Sequence, residues 1–522
     1  MSGRNPASNR TKAIKADSFP QRCPQTQPAP QPEDDDYSGN EDCLFLSVYS
    51  PAQANATNLL PVFFWIHGGG YGRGQGNQDI AEFSRINDNR FVSVVIQYRL
   101  GALGFLAGDE VYRFGDVNAG LLDQQFAMQW VQKHIRKFGG DPSRVTIAGQ
   151  SAGAGAVMHH AVSFDGRLGT KLFKNAIAAT PYNPLLYRYN DWQPAQAYYS
   201  LALAAGCFPG RGYGNSSATI LECLRATPSN EIQKAGANVG ASGIWGAWTF
   251  LPVIDGEFVP GPVSSQLQSG KLNGLRVISG NTASEAAAYV IPEITSDAEL
   301  EAWLRLEYPL LTEENIDEIL RVHYPSSNPS DIVPFATCGD CNGATADETG
   351  PFAIGPQQRA IALYSESTFV CSSYWLAEAY SCGKGRDAWK YQYSVPAAQH
   401  GADLNGVGLR PKGPILSSAF VRAFGRTWGN FIVNNNPSSE QKWPTFNEHG
   451  DRPWRMLNLN ETGGSPYSSR VVATMPNATQ YEGPGLANDI RVVDANTWEG
   501  GRGKRCEFWR QIGDRVPFLR RE

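Results

Sequence analysis

The run RVTIAGQSAGAGAVMHHAV, residues 144–162, constrains the fold more than any other stretch. A β-branched apolar segment leads into Gly149-Gln150-Ser151-Ala152-Gly153, and a helix-like segment follows. Bulky side chains are absent around one hydroxyl. Either the main chain turns very tightly there, or another molecule must reach Ser151. A G-x-S-x-G segment between a strand and a helix has the context of a nucleophile elbow, in which serine sits on a sharp, strained turn. The motif is short, so its surroundings must decide.

Those surroundings read as alternating strands and helices, which indicates an α/β sheet. Strands are expected near residues 45–50, 60–67, 91–99, 144–149, 175–180, 275–280, 388–395 and 455–460. Several are continuous apolar runs, as in strands covered on both faces. LLPVFFWI (59–66) is the most conspicuous, and its length suits a buried strand rather than the ~20 residues of a bilayer span. GLLDQQFAMQWVQKHIRKFGG (120–140) reads as a helix with Leu122, Phe126 and Trp130 on its apolar stripe, stopped by Gly-Gly. Residues 418–433 form a second helical pattern. The long stretches between the strands ending at 180 and starting at 275, and between 280 and 388, are expected to be insertions over one end of the sheet. Residues 1–40 are polar and irregular. Residues 41–522 carry no clean linker and read as one domain.

A serine alcohol needs a base to take its proton, and the base needs a carboxylate to orient it. The elbow context implies the order serine, acid, histidine. Of the seven histidines, His67 and His134 precede the serine. His159 and His160 lie on the helix leaving the turn and read as packing. His323 sits at a helix end before Pro325, and His449 in a turn. His400 follows the strand at 388–395 by a short loop, where α/β sheets place chemistry. The acid candidate is Glu285, after the strand at 275–280. From the residues alone, Glu285 as a helix cap is an equal alternative. An oxyanion needs N–H donors. Gly69 and Gly70, directly after a core strand, could supply them with Ala152. Tyr71, Trp245, Trp248 and Phe250 are candidates for an apolar pocket or for core.

Other chemistries find less support. A net charge of −5 argues against a nucleic-acid partner. The glycine loop has neither dinucleotide-binding spacing nor a phosphate-binding lysine. Cys338 and Cys341 form one C-x-x-C without a second ligand pair. No cofactor or metal is expected, and no integral membrane contact. Nine cysteines and five N-x-[ST] sequons, at Asn9, Asn55, Asn215, Asn460 and Asn477, point to a secreted, disulfide-bonded glycoprotein, although the N-terminus carries no apolar signal segment.

Taken together, these pieces resemble the type-B carboxylesterases, the α/β-hydrolase family of cholinesterases and fungal lipases. The likeness rests on EDCLFLSVYSP (41–51), FFWIHGGG (63–70), QYRLGALGFL (97–106), residues 120–142, GQSAG (149–153), LPVIDGEFVP (251–260), the Glu285 segment and HGADL (400–404). NDWQPAQAYY (190–199) and SSYWLAEAY (372–380) side with secreted fungal members. The resemblance implies an α/β-hydrolase fold: a central, mostly parallel sheet flanked by helices. It implies a serine hydrolase acting on small carboxylic esters, with Ser151 as nucleophile, Glu285 as acid and His400 as base. It also implies an oxyanion hole of Gly69, Gly70 and Ala152, disulfides Cys23–Cys43, Cys207–Cys223 and Cys371–Cys506, and a salt bridge between Glu41 and Arg99. Acyl transfer to another acceptor, or a cholinesterase-like protein that only binds, are the alternatives.

Three departures qualify the likeness. Gln150 stands where the family commonly has Glu. No Trp lies between Cys23 and Cys43, so choline esters are disfavoured. The family's further N-terminal strands, with a G-x-P-Y-A-like segment, are not found before Cys23; either the start is truncated or misassigned, or the protein stays inside the cell.

Overall fold

The computed structural model describes residues 16–29, 39–208, 219–326, 350–382, 385–439, 442–447 and 454–513. The sequons at Asn9 and Asn215, as well as Cys338, Cys341 and His449, lie outside the described residues.

A nine-stranded sheet runs in the order β1-β3-β2-β4-β5-β6-β7-β8-β11. Its strands are β1 (Leu46–Tyr49), β2 (Leu60–Ile66), β3 (Val92–Ile96), β4 (Gly140–Gln150), β5 (Asn175–Ala179), β6 (Arg276–Thr282), β7 (Asp387–Tyr393), β8 (Arg455–Thr462) and β11 (Ala487–Asp494). From β3 to β8 all neighbours are parallel. The edges β1 and β11 are antiparallel. β9 (Ser465–Ser469) and β10 (Ala478–Glu482) pair separately as a two-stranded sheet. This is the α/β-hydrolase architecture the sequence implied.

Parallel strands need crossovers, and crossover helices cover both faces. That is why β2 is apolar at every position. Val62, Phe64 and Ile66 enter one core, while Phe63 and Trp65 enter the other. The helix Ser418–Asn434 shows how sequence sets one of these covers. Ser417 caps it, its hydroxyl accepting from Phe420 N at 3.0 Å. Asn435 closes it at φ +61°. Phe420, Phe424, Trp428 and Phe431, spaced three or four apart, form its buried stripe.

The helix Ala119–His134 corrects the sequence expectation. Phe126 is 65% exposed, and the buried face carries Leu121, Gln124, Met128 and Val131. Two polar residues hide that face from a hydrophobicity reading. Gln124 Oε1 lies 3.0 Å from His160 Nε2, and Asp123 takes Arg99 Nε at 2.7 Å. Arg99 therefore pairs with Asp123, not with Glu41, which is exposed and forms no ion pair with Arg99. Asp123 lies on the helix packed beside the Arg99 loop and chelates the guanidinium through both oxygens.

The last helix, Trp498–Gln511, is fastened at two points. Cys506 is disulfide-bonded to Cys371. Arg502 and Arg505 both reach the fully buried Glu366, at 3.1 and 2.7 Å. Burial alone would raise the Glu366 pKa; the Arg505 and Arg502 charges outweigh it and hold the carboxyl below its usual range. Disulfides also join Cys23 to Cys43 and Cys207 to Cys223, while Cys382 carries a free thiol.

Candidate active site

Ile66 and Gly149 are register partners on the adjacent strands β2 and β4. The chain runs from β2 to β3 on one side and from β3 to β4 on the other, so a crevice opens at the strand ends between them. Two loops leave the sheet there side by side, the glycine loop and the serine turn.

Ser151 has φ +59° and ψ −126°, a strained backbone for a residue with a side chain. Backbone bonds hold it. Its N–H donates to Ala179 O at 3.0 Å, and its carbonyl accepts from Gly155 N at 2.9 Å and Tyr182 N at 3.1 Å. The glycines are required by close approach. A Cβ on Gly149 would lie 2.3 Å from the Gly153 carbonyl carbon, and one on Gly153 would lie 2.1 Å from Ile66 O. The small residues thus serve the tight turn itself, and the turn in turn presents the hydroxyl.

The glycine loop is equally constrained. Gly69 and Gly70 have φ +105° and +61°. The Trp248 indole lies over Gly70 and Gly72, so closely that a Cβ on Gly70 would sit 1.9 Å from Cε2, while a Cβ on Gly69 would sit 2.3 Å from Arg73 O. Gly69 O accepts from Gly72 N and Arg73 N, which closes the loop. The N–H groups of Gly69 and Gly70 donate to no backbone acceptor among the described residues. Ala152, the first residue of its helix, has no intrahelical acceptor either. His67 is buried, stacks on Tyr98 at 4.3 Å, and burial pulls its pKa down to about 4.

Glu285 and His400 come from the loops after β6 and β7. A bridge between Ser284 and Gln399 and a bond from Ser284 N to Ala398 O align the two loops. Glu285 is not a helix cap. It is 1% exposed, and its Oε1 accepts from the Thr180 hydroxyl at 2.9 Å and from Thr282 N. Its Oε2 lies 2.7 Å from His400 Nδ1. With the carboxylate accepting on both oxygens, Nδ1–H donates and Nε2 remains an acceptor. Nε2 faces the Gln150 side-chain Nε2 at 3.2 Å. The Ser151 hydroxyl forms no hydrogen bond among the described residues and opens on the same cavity as His400. Tyr289 and Phe369 flank the imidazole, with ring centroids at 5.4 and 4.7 Å.

That cavity measures about 620 Å³. Trp65, Tyr182, Trp248, Tyr289, Tyr364 and Phe369 give it aromatic walls, most of them contributed by the two insertions. Of the aromatic residues singled out from sequence, Trp248 borders it. Tyr71 is buried against Phe105, Phe250 is in the core, and Trp245 does not border it. Sequence reading missed three features here: the Gln150–His400 contact, the guanidinium groups of Arg73 and Arg410 at the wall, and Asp403. Asp403 is buried three residues after His400, accepts from Tyr391 OH at 2.7 Å, and is pushed up to about 6 by burial. Only Gln150 carried a signal, as a departure from the family pattern.

Comparison with known proteins bears on the family and the fold. The model of the Carboxylesterase family matches residues 4–475. Lipase 1 of Geotrichum candidum is 31% identical over 82% of this chain and 75% of its own length. A secreted triacylglycerol lipase of Gibberella zeae is 28% identical over 80% of this chain and 71% of its own length. Carboxylesterase patB of Aspergillus clavatus is 29% identical over 80% and 71%. The crystal structure of Aspergillus niger EstA superposes with a TM-score of 0.72 at 25% identity, over 95% of this chain and 89% of that one.

Proposed function

Because the chain belongs to the carboxylesterase family and is a carboxylic ester hydrolase, we propose that it cleaves small esters through an acyl-enzyme formed on Ser151. His400 Nε2 takes the hydroxyl proton as Ser151 Oγ attacks the carbonyl carbon. The Gln150 amide yields Nε2 to the serine as the hydroxyl rotates toward the ring, since catalytic hydrogen bonds are often loose before substrate arrives. The N–H groups of Gly69, Gly70 and Ala152 hold the oxyanion. His400 then gives its proton to the leaving alkoxide, and the alcohol departs. Water, deprotonated by His400, attacks the acyl carbon and frees Ser151. Glu285 orients the ring and stabilises the imidazolium. Each oxyanion donor is worth about 10²–10³ in rate.

The observation that carries this reading is the 2.7 Å bond between His400 Nδ1 and Glu285 Oε2, with the ring's other edge on the cavity that Ser151 borders. Residues 41–522 serve as one hydrolase domain, and three disulfides together with the secreted fungal relatives support an extracellular site of action. A fluorophosphonate probe tests the nucleophile. Wild type should be labelled on Ser151, and Ser151→Ala should not. Labelling of both would overturn the assignment.

A further inference from the structure

Among the described residues, charge on the cavity wall is one-sided. Arg22, Arg73 and Arg410 line it, and no Asp or Glu does among the described residues. The whole chain holds more acids than bases, 50 against 45, so composition does not produce this bias. Elsewhere arginines meet carboxylates: Arg85 with Glu82, Arg99 with Asp123, Arg305 with Glu301 and Glu313. The side chains of Arg73 and Arg410 have no hydrogen-bond or ion-pair partner among the described residues.

Both residues are exposed and border the cavity that Ser151 and His400 share. Arg73 belongs to the glycine loop, its N–H donating to Gly69 O at 2.8 Å. The Arg410 guanidinium overlies the residue after His400. A Cβ on Gly401 would lie 3.3 Å from Arg410 Nη1 and 3.3 Å from Gln150 Nε2. The neutral Gln150 adds no negative charge there. The two nearby carboxylates, Glu285 and Asp403, are buried and line no part of the cavity. Gln75, Asn77 and Gln78 add amides to the same wall.

Resting on the hydrolytic reading above, we infer that Arg73 and Arg410 form an anion subsite, and that the preferred substrate is an ester bearing a second, ionised carboxylate. A guanidinium presents a planar fork of donors that matches the two oxygens of a carboxylate. Bound there, the anion anchors the ester while its neutral carbonyl lies at Ser151. The same field draws an acidic substrate into the cleft and repels a cationic one.

Matched ester pairs test this. 4-Nitrophenyl hemiadipate against 4-nitrophenyl hexanoate places the carboxylate on the acyl side. 5-Acetoxy-2-nitrobenzoate against 4-nitrophenyl acetate places it on the leaving group. In one of the two pairs, wild type should favour the anionic ester by about tenfold in kcat/KM at low ionic strength, with the preference fading in about 0.5 M salt. Arg73→Gln and Arg410→Gln should each lower that ratio by about fivefold, and Arg410→Glu should invert it. Ratios at or below one in both pairs, or ratios insensitive to these replacements, would overturn the proposal. A second readout is independent of turnover. Phthalate, but not its neutral diamide, should quench the fluorescence of Trp248 and Trp65 in wild type and in Ser151→Ala, and less so in the arginine variants. Phthalate binding without hydrolysis of any ester would keep the anion subsite and sink the hydrolytic reading.

Discussion

Replacing Glu285 by Gln changes one atom in a buried position, and the surrounding donors dictate how the new amide must sit. Oε1 of Glu285 faces Thr282 N–H, a main-chain donor that cannot reverse. The amide must therefore place its carbonyl oxygen there and its NH₂ toward His400 Nδ1. Two donors cannot face each other, so Nδ1 becomes an acceptor and the ring proton moves to Nε2. In that tautomer His400 cannot accept the Ser151 proton, and no carboxylate steadies the imidazolium. A carboxylate-to-amide exchange in a serine-protease triad lowers kcat by about 10⁴, or ~5.5 kcal/mol at ~1.4 kcal/mol per tenfold. We expect a similar loss for Glu285→Gln, read as release of 4-nitrophenol from the butyrate ester at neutral pH, with little change in melting temperature. Glu285→Asp, which keeps an acceptor, should lose less. A well-folded Glu285→Gln enzyme within tenfold of wild-type kcat would refute the reasoning.

Gly70→Ala forces a Cβ to within 1.9 Å of the Trp248 ring at φ +61°, which should lower stability by about 2–4 kcal/mol in urea unfolding and depress kcat. Adding Trp248→Ala should restore part of that stability, and strictly additive losses would argue against the clash. Cys371→Ser with Cys506→Ser opens a loop with a sequence separation of 135, worth about 5 kcal/mol by loop entropy. Opening the loops with separations of 20 and 16 should remove about 3 kcal/mol each; equal losses on denaturation would contradict the entropic account. Burial holds the imidazoles of His67 and His159 at about 4 and that of His160 at about 3. Below ~6.5 the unfolded chain therefore binds protons the folded one refuses, and stability falls with pH. Glu307 and Asp403, raised by burial to about 7 and about 6, act in the opposite sense, their contribution being lost as pH rises. These five groups leave a net slope of roughly one proton, ~1.4 kcal/mol per pH unit between pH 4 and 6, with stability rising toward neutrality. A flat or inverted profile by chemical denaturation would contradict this.

The central parallel strands were legible because burial on both faces leaves them mostly apolar, most clearly in LPVFFWI of β2. The antiparallel strands at 465–494 were not. SPYSS and ATQYE carry little apolar signal, and β11 lies half in solvent at the sheet edge. The apolar stripe of the helix Ala119–His134 was misplaced because Asp123 and Gln124 are buried through bonds made to residues far away in sequence. At the site, Ser151 was visible because its requirements are local: a strand, a tight turn, a helix. Glu285 and His400 were reachable through strand order, since each follows a core strand. Gln150 against His400, and Arg410 beside Gly401, depend on how distant loops meet and leave no pattern along the chain.

The tie between the last helix and the acid loop has a consequence for biosynthesis. Arg502 Nη2 donates to Ala283 O at 2.7 Å, two residues before Glu285. Glu366, sunk beneath the same loop, depends on Arg502 and Arg505 for its counter-charges. A ribosome translates the residues assigned to the proposed reaction, through Arg410, almost a hundred codons before it reaches those arginines. Until they leave the exit tunnel, the nascent chain holds the proposed reacting groups while Glu366 lacks its counter-charges. On the proposed mechanism, a message truncated ahead of codon 502 yields a protein that holds Ser151, Glu285 and His400 but lacks the arginines that balance Glu366.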